Sequence, residues 1–296
     1  MINQLPAQNK NQNTAAKIKL ILARVLAYSF LIFLTLICLL FFYVLFVNAS
    51  KSKEELQGVW VPLPSKYFFV NMKSAILDST EYINIPKGFL NSFIVASCTA
   101  LLTTYFSALT AFAIHAYRFK GRKFVATFIL AIMMIPQQVA SAGFISLAYN
   151  LGLTDMLWLL IVPSIAAPSV YFYMLQNLKA TLPLDLVEAS RMDGSSEFMT
   201  FNRIVLPIMK PALSVQMIFS FVASWNNYYM PSLLIKDKDK RTLPIMLGLL
   251  RSEAESQVDA GQIWRVVLLS ILPVLFVYIF LSKSIIKGVT SGSVKG

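Results

Sequence analysis

The side chains that could do chemistry are few in this sequence and lie far apart. The 296 residues include one histidine, His115, two cysteines, Cys38 and Cys98, and 14 aspartates and glutamates. None of them is grouped at the spacing of metal ligands, and a single histidine gives little support for a Ser-His-Asp set. Because no Gly-Lys pair occurs, the phosphate-binding loop of ATPases is absent as well. The sequence therefore predicts no enzyme, no metal site and no cofactor bound by this chain.

Ion-coupled transport is disfavoured by where the charged residues fall. Carriers driven by protons or sodium usually place ionisable groups inside their membrane spans, but all 14 acids here lie between apolar blocks. His115 lies near the end of one block, three residues before Arg118, where we expect a histidine that reaches the membrane interface. Cys38 and Cys98 lie inside apolar blocks, and we interpret them as buried free thiols. Any uphill transport must then draw its energy from another subunit.

Polar amides within apolar blocks are the remaining candidates for a functional site. Gln137 and Gln138 form one pair, and Asn226 and Asn227 form another beside Trp225. An amide in a membrane span costs free energy unless it faces a cavity or another helix. Amide and aromatic side chains also suit sugars, which offer hydroxyl groups and apolar ring faces. We predict that these five residues line a pathway, with hydrogen bonding across a helix interface as an equally good alternative for the group around Trp225.

The segment 179–210, between two apolar blocks, has the pattern of two short helices. Pro183 fits the first turn of a helix, and Asp185 complements the positive end of its dipole. The apolar face of this first helix, at spacings of four and three, is formed by Leu182, Leu186 and Ala189, with Ser190 beside them. The helix is expected to end at Asp193-Gly194, because glycine accepts the left-handed conformation that closes a helix.

A second short helix is expected to begin at Ser196, whose hydroxyl can cap it, with Glu197 in the first turn. Its apolar positions are Phe198, Phe201 and Val205. Pro207 and Pro211 mark the transition into the next apolar block. Four basic residues balance four acids over residues 179–210, whereas a helix that lies on lipid favours an excess of Lys and Arg. We therefore favour docking to another protein, with an interfacial helix as the alternative.

The composition places the rest of the chain in a membrane. Hydrophobic residues make up 57% and charged residues only 14%, against about a quarter charged in soluble domains. A span needs about 20 apolar residues, and six blocks qualify or nearly qualify. We predict transmembrane helices at 25–50, 88–117, 124–154, 156–178, 211–235 and 266–282. The first is too long for a cleaved signal peptide, so the fold class is an all-α integral membrane protein with six transmembrane helices.

The basic residues predict the orientation of these spans. With the N-terminus inside, 15 of the 26 Lys and Arg fall on the cytoplasmic side, and the loop 118–123 is basic without an acid. We interpret the net charge of +12 as this topology signal and predict no nucleic-acid binding. On the outer side, residues 51–87 are too apolar for a free linker and are expected to hold an interfacial helix.

The spacing within residues 179–210 resembles the signature loop of ABC importer permeases. In that family, Glu-Ala-Ala is followed after three residues by Gly, and after nine more by Ile-x-Leu-Pro. The matching residues here are Glu188, Ala189, Ser190, Gly194, Ile204, Leu206 and Pro207. The one departure is Ser190, which replaces the second Ala by another small residue.

The resemblance implies that the first short helix is a coupling helix, which seats in a groove of a cytoplasmic ATPase. The residues to which it gives this role are Glu188, Ala189, Ser190, Arg191, Met192, Asp193 and Gly194. Gly194 would supply the turn, and Glu188 and Arg191 would make polar contacts with the ATPase.

Shorter motifs are similar to the carbohydrate branch of the family, and in particular to the maltose-type second permease. They are Asn91-Ser92-Phe93, Ile135-Pro136, Leu151 to Asp155, Ser224 to Asn227 and Thr242-Leu243-Pro244. Together they cover residues 86–285, which form the core of the resemblance.

The resemblance also implies an organisation and a set of partners. It implies the type I permease fold, with a transmembrane domain at 25–282 and cytoplasmic tails at 1–24 and 283–296, in the cytoplasmic membrane of a prokaryote. The partners would be a second homologous permease, two ATPase subunits that bind ATP and Mg, and an extracytoplasmic sugar-binding protein that faces residues 236–265. The chain would then move an oligosaccharide by alternating access.

Two other functions fit the same sequence. A polyol or a glycerophosphodiester would leave the same features in a permease of this family. A self-sufficient facilitator is the rival from another class, because the lack of charges within the spans permits it.

Overall fold

The structure is a computed structural model that describes residues 8–77, 83–254 and 260–292, and the regular elements within these ranges are helices. In chain order they are α1 (Gln8–Ser50), α2 (Lys53–Gln57), α3 (Phe68–Leu77), α4 (Ile85–Ala116), α5 (Arg122–Ile132), α6 (Gln137–Asn150), α7 (Trp158–Ile161), α8 (Pro168–Thr181), α9 (Leu184–Met192), α10 (Glu197–Thr200), α11 (Leu206–Ile208), α12 (Lys210–Trp225), α13 (Tyr229–Leu234), α14 (Leu243–Ala254) and α15 (Ala260–Gly292). A π-helical turn at Phe201–Val205 joins α10 to α11, and a 3₁₀ turn at Val162–Ile165 follows α7.

Within the described residues, four helices are long and apolar enough to cross a membrane, and two bent helix pairs raise the number to six. The four are Lys17–Ser50, Ile85–Ala116, Trp158–Thr181 and Gly261–Lys283. The bent pairs are Arg122–Ile132 with Gln137–Asn150, and Glu197–Ile208 with Lys210–Trp225. Four of the six predicted blocks therefore correspond to one span each, and the all-α membrane class is confirmed.

The other two predicted spans are divided into separate helices, and the span Trp158–Thr181 contains the 3₁₀ turn between α7 and α8. The block 124–154 divides into α5 and α6, which meet at 93°. Pro136 precedes α6 and has no N–H to continue the hydrogen bonding of α5, so the residues before it form turns instead. In the block 211–235, α12 ends at Trp225, and α13 begins only at Tyr229.

α4 is the central helix, and it packs against α8, α12 and α14. Most of its buried positions carry small residues, namely Gly88, Ser92, Ala96, Thr99, Ala100, Thr103, Thr104, Ser107, Ala108 and Ala111. Small residues let helix backbones approach closely, which is how membrane helices gain packing contacts. The approach is closest at Gly88, where an added Cβ would lie 2.5 Å from Sδ of Met246.

Two buried clusters hold the opposite ends of this bundle. One packs α4 and α8 against α9 and the segment before α12, and it includes Phe112, Leu178, Val187, Phe201 and Val205. The other packs α4 against α12, α14 and α15, and it includes Ile85, Ala96, Phe221, Trp225, Met246 and Val266. We refer to these two parts of the molecule as the α9 end and the α14 end.

α1 is buried only near its C-terminal end. Among its described side chains, those from Lys17 to Phe42 are exposed, while Val47 and Ala49 are fully buried. An apolar helix that is exposed on all sides requires lipid or another membrane protein around it. The exposed length of α1 is therefore consistent with a membrane-embedded chain.

The segment after α1 folds back over its end. Lys51 is buried, and its Nζ donates a hydrogen bond to the carbonyl of Val61 at 2.7 Å. The amide of Asn71, in α3, donates to two carbonyls at the end of α1, at 3.0 and 2.9 Å. The expected helix within residues 51–87 is thus present as α3, with the shorter α2 before it, while residues 78–82 lie outside the described part.

The predicted tails are partly helical. α1 already begins at Gln8, and α15 continues to Gly292. A helix keeps its backbone hydrogen bonds after it leaves a membrane, so an apolar block does not mark where the helix ends. The remaining residues 1–7 and 293–296 lie outside the described part, and the domain boundaries at 25 and 282 stay predictions.

Candidate functional site

α9 begins later than predicted and turns a different face inward. Pro183 comes just before the first helical residue, with φ −64° and ψ 134°. The buried side chains of α9 are Val187 and Ser190, at 1% and 5% exposure, whereas Leu186 is 45% exposed. The predicted apolar face is wrong because Leu182 belongs to the end of α8, so counting from it shifts the stripe by one residue.

The outward surface of α9 is apolar around a charged centre. Met192 is 88% exposed, and Leu184 and Leu186 are also among the exposed apolar residues. Glu188 and Ala189 are exposed between them. Exposed apolar side chains grouped on a short polar helix are typical of a contact with another protein.

Gly194 closes α9 in the left-handed region, as predicted, with φ of 78°. Its N–H donates to the carbonyl of Arg191, and the N–H of Ser195 donates to the carbonyl of Ser190, each at 3.0 Å. These bonds satisfy carbonyl groups that a helix end leaves free. An added Cβ at Gly194 would meet no atom within 4 Å, so the backbone conformation, and not lack of space, favours glycine here.

The signature departure at Ser190 places a hydroxyl between α9 and α10. Ser190 Oγ lies 3.1 Å from Thr200 Oγ1, which donates to Ser195 Oγ at 3.0 Å. Both Ser190 and Thr200 are buried. Ser196 caps α10, as predicted, by accepting the N–H of Met199 at 3.3 Å. The hydroxyl of Ser190 donates to the carbonyl of Val187 at 2.7 Å, so the small residue at 190 fits between the two helices and places its oxygen in contact with the hydroxyl of Thr200.

The chain reaches α12 through a widened turn. Phe201 and Val205 are fully buried, as predicted, but Phe198 is 66% exposed. The prediction for Phe198 is wrong because the first turn of α10 buries Thr200 instead. The residues that end the signature loop are Ile204 and Leu206, which are half-buried, and Pro207, which is exposed. α12 then departs at 83° from the preceding helix.

The hydrogen bonds that hold this loop had no signal in the local sequence pattern. His115, expected at the membrane interface, has its Nε2 3.3 Å from the carbonyl of Leu182. Tyr117 donates to Glu197 Oε2 at 2.6 Å, across 80 residues of sequence. Arg191, expected to contact an ATPase, is bonded through Nε to Glu197 Oε1 at 2.7 Å. Such contacts depend on the tertiary fold and not on local spacing.

The residues predicted to line a pathway lie in two separate places. Gln137 and Gln138 are the first residues of α6 and are exposed beside the bend. The other end of α6 contacts α13, where the hydroxyl of Tyr149 donates to the carbonyl of Leu233 at 2.7 Å. At 1.5 Å per residue, the glutamines lie roughly 17 Å along α6 from that contact. The structure does not bring them together with the group at 225–227.

Within that second group, only one residue is exposed. Trp225 is 2% exposed, its indole N–H donates to the carbonyl of Ser270 at 3.0 Å, and its ring stacks on Phe221 at 5.8 Å. This is the helix-interface arrangement that the sequence left open. Asn227 Oδ1 accepts a backbone N–H of α13 at 3.4 Å. Asn226 is exposed, so it is the member that can meet a solute.

At the α14 end, two motifs that are far apart in sequence form one contact. The amide of Asn91 donates to the carbonyls of Asp239 and Arg241, at 2.9 and 3.0 Å. The N–H of Leu243 donates to Ser92 Oγ at 2.8 Å. The motif around residue 91 therefore binds the backbone that leads into the motif around residue 243, and these bonds attach the start of α14 to α4.

Asp155 makes a similar connection at the same end. It adopts a positive φ of 62°, and its Oδ1 accepts the N–H of Lys236 and, at 2.6 Å, that of Asp237. Its own N–H donates to the carbonyl of Leu234 at 2.9 Å. Asp155 thus ties the segment after α6 to the segment after α13.

A cavity of about 490 Å³ opens between α14 and α15, near Asn226 in the chain. Its lining includes Tyr228, Leu247, Gly248, Arg251 and Ile263. Gly248 makes room for the aromatic ring, since an added Cβ would lie 2.8 Å from Cε2 of Tyr228. A tyrosine with an arginine beside it suits a polyhydroxylated solute, and no motif in the sequence pointed to this site.

Comparison with known proteins identifies the class to which this geometry belongs. Residues 100–289 match the family described as binding-protein-dependent transport system inner membrane component. The chain belongs to this family. It is thus a multi-pass inner membrane permease of an ABC importer, and the prediction that it is a non-catalytic transport subunit is confirmed.

Several relatives of this permease transport sugars according to their names. The arabinooligosaccharides transport system permease protein AraQ of Bacillus subtilis is 33% identical over 273 residues, which cover 90% of this chain and 94% of the relative. The trehalose/maltose transport system permease protein MalG of Thermococcus litoralis is 28% identical, covering 93% of this chain and 98% of the relative. The maltodextrin transport system permease protein MdxG of Bacillus subtilis is 28% identical, covering 90% and 95%.

A solved structure supports the fold. A bacterial ABC transporter involved in the import of the acidic polysaccharide alginate superimposes with a TM-score of 0.73 at 18% identity, covering 88% of this permease and 96% of that chain. The predicted ABC importer permease fold is therefore confirmed.

Proposed function

We propose that this permease carries an oligosaccharide across the cytoplasmic membrane by alternating access, driven by ATPase subunits that dock on α9. The observation that carries the proposal is the geometry of α9, a short helix with an outward face of exposed apolar residues, closed by Gly194 in the left-handed conformation. The sugar class is supported by the relatives, which are named for arabinooligosaccharides, trehalose/maltose and maltodextrin.

The ATPase contact in this proposal is the exposed face of α9. Leu184, Leu186 and Met192 would enter an apolar groove of the ATPase, and Glu188 would meet a basic or polar group there. ATP and Mg bind to the partner subunits and not to the permease. Arg191 is partly exposed and directs Nε and one Nη to Glu197, so it contributes to this surface from a position that Glu197 holds.

The proposed orientation places the α9 end in the cytoplasm together with both termini. The basic loop 118–123 follows α4 at this end, as the distribution of positive charge in membrane proteins requires. The α14 end then faces outward and meets the sugar-binding protein. A second, homologous permease would complete the pathway.

The proposed pathway uses the polar residues that are exposed within apolar surroundings. Gln137 and Gln138 at the bend before α6, and Asn226 after α12, are exposed in this chain. The cavity beside Tyr228 and Arg251 lies at the outer end of the same route. Because Trp225 is buried, its part in the pathway is to hold the neighbouring Asn226 in place.

The test is to purify the tagged permease in mild detergent with its partners and to reconstitute it in proteoliposomes. We expect a second permease, an ATPase, and ATP hydrolysis stimulated by a sugar-loaded binding protein. Met192→Asp is expected to release the ATPase, whereas Leu63→Asp, an exposed apolar residue outside α9, should not. Uptake of a polyol or glycerophosphodiester instead of sugars would reassign the substrate. Solute flux by the chain without an ATPase would refute the importer mechanism.

A further inference from the structure

Side chains at the end of α4 reach the chain on both sides of α9. Before α9, the ring of His115 lies 3.3 Å from the carbonyl of Leu182. After α9, the hydroxyl of Tyr117 donates to the carboxylate of Glu197 at 2.6 Å. The helix that carries the proposed ATPase contact is therefore held between two bonds to one transmembrane helix.

Tyr117, Glu197 and Arg191 form a closed group, which we call the latch. Arg191 Nε lies 2.7 Å from Glu197 Oε1, and its guanidinium lies over the ring of Tyr117, 5.5 Å from the centroid. Tyr117 uses the other carboxylate oxygen, Oε2. The hydrogen bond to Glu197 raises the pKa of Arg191 further above its ordinary value, so the guanidinium stays charged. Each residue of the latch contacts the other two.

The latch lies beside a set of packed aromatic rings that continues the connection into the core. Phe201 stacks on Phe112 with ring centroids 5.6 Å apart, and it meets Tyr105 edge-on at 5.5 Å. Phe112 in turn contacts Tyr117 at 5.8 Å. Since Tyr105, Phe112 and Tyr117 all come from α4 or its end, the segment after α9 rests on one side of this helix.

The latch is partly exposed, and this decides what it can contribute. The side chains of Arg191 and Glu197 are 35% and 43% exposed, and an isolated ion pair with such exposure adds little stability. Here Arg191 donates to both carboxylate oxygens, Oε1 at 2.7 Å and Oε2 at 3.4 Å, and Tyr117 donates to Oε2, so the orientation of Glu197 is fixed from two directions. A protein docked on α9 would also exclude water and strengthen the electrostatic attraction. The group is therefore better suited to transmit a displacement than to stabilise the fold.

We propose that Tyr117, Glu197 and Arg191 act as positioning residues that make α4 move with α9. This inference rests on the proposed function, in which ATPase closure displaces α9. Because α4 is the central helix and packs against α8, α12 and α14, a movement delivered to α4 reaches the whole bundle. Val187 also packs α9 into the buried cluster that includes Phe112 of α4, and the latch adds to this packing a hydrogen-bonded connection of fixed direction.

The test compares the reconstituted transporter carrying Tyr117→Phe, Glu197→Gln or both with the wild type. Tyr117→Phe removes one hydroxyl, and Glu197→Gln keeps an acceptor for Tyr117 but removes the charge that holds Arg191. Tyr173→Phe is the matched control, because Tyr173 is a partly exposed tyrosine of α8 outside the latch. Two quantities are measured: amide hydrogen exchange of α9, and solute transported per ATP hydrolysed.

Both latch variants are expected to raise exchange in α9 and to lower transport per ATP by about three- to ten-fold, the effect expected for loss of one hydrogen bond of ordinary net strength. The ATPase should remain bound, and the double variant should lose no more than the more severe single variant, because the residues act as one unit. Tyr173→Phe should change neither quantity. Additive losses, unchanged exchange, or faster exchange with normal transport per ATP would each overturn the proposal.

The two readouts separate this proposal from the proposed function. If the wild type purifies without an ATPase, the importer function fails, and the role of the latch in transmission fails with it. If the wild type couples transport to ATP but the latch variants do so equally well, only the latch is refuted. Exchange in α9 measures the attachment itself in either case.

Discussion

Replacing Gly194 tests whether the turn that ends α9 is required for coupling. Its φ of 78° is the left-handed conformation, which costs an L-residue roughly 1–2 kcal/mol. No steric term adds to this value, because a Cβ would meet no atom within 4 Å. The turn at residue 194 is in equilibrium between the closed form described here and an open form in which the end of α9 is unwound. A cost of 1–2 kcal/mol lowers the ratio of closed to open molecules by about 5- to 30-fold. Gly194→Ala should therefore weaken coupling while leaving membrane insertion intact.

A series of substitutions at Gly194 separates the conformational cause from others. Asparagine visits the left-handed region more readily than alanine, and a β-branched residue is least able to adopt it. Loss of sugar transport per ATP should therefore increase in the order Asn, Ala, Val. The same order is expected for hydrogen exchange of α9 in the purified transporter, since an open helix end exchanges its amides faster.

Gly143→Ala is the matched control for this series. Gly143 lies within α6, where an added Cβ also meets no atom within 4 Å and no positive φ is required. Alanine there should be neutral or stabilising, because it has the higher helix propensity. Equal damage by all three residues at position 194, or no effect of alanine, would refute the conformational argument.

Three further substitutions test the packing and the hydrogen bonds described above. Gly88→Ala places a Cβ 2.5 Å from Sδ of Met246 and should cost about 1–3 kcal/mol in thermal unfolding, while adding Met246→Ala should cost less than the sum of the two single changes. Asn91→Leu removes two hydrogen bonds to the segment before α14 and should raise amide exchange there but not in α9; equal changes in both would contradict this. Ser190→Ala should cost under about 1 kcal/mol in the same unfolding assay, because Thr200 keeps another hydroxyl partner. A larger loss would show that the contact between Ser190 and Thr200 stabilises the fold by more than one ordinary hydrogen bond.

The sequence predicted those parts of the loop that depend on local backbone chemistry. Gly194 was expected to close α9 and Ser196 to cap α10, and both do so because turn and cap geometry is decided within a few residues. The buried positions Phe201 and Val205 follow from apolar spacing along the same short helix. The membrane class follows from composition, which does not depend on the details of packing.

What the local pattern left undecided depends on tertiary contacts. Trp225 was a pathway candidate, yet a carbonyl of α15 accepts its N–H and places it in the core. Phe198 was counted on one apolar face with Phe201 and Val205, but it is 66% exposed, and Thr200 is buried instead. The partner of Tyr117 lies 80 residues away, and a periodicity argument cannot reach across that distance. Tertiary contacts therefore decided which of the polar and aromatic candidates remained exposed.

The π-helical turn at Phe201–Val205 has a consequence for how this protein can vary. A π turn contains one residue more than an α turn and takes it up within the turn, so the helix on either side keeps its direction. A deletion from a regular α turn rotates the preceding residues by about 100° around the axis, whereas a deletion that converts the π turn into an α turn largely avoids this rotation. Residues 201–205 are thus the part of this segment that can lose one residue while α9 keeps presenting the same surface to its partner.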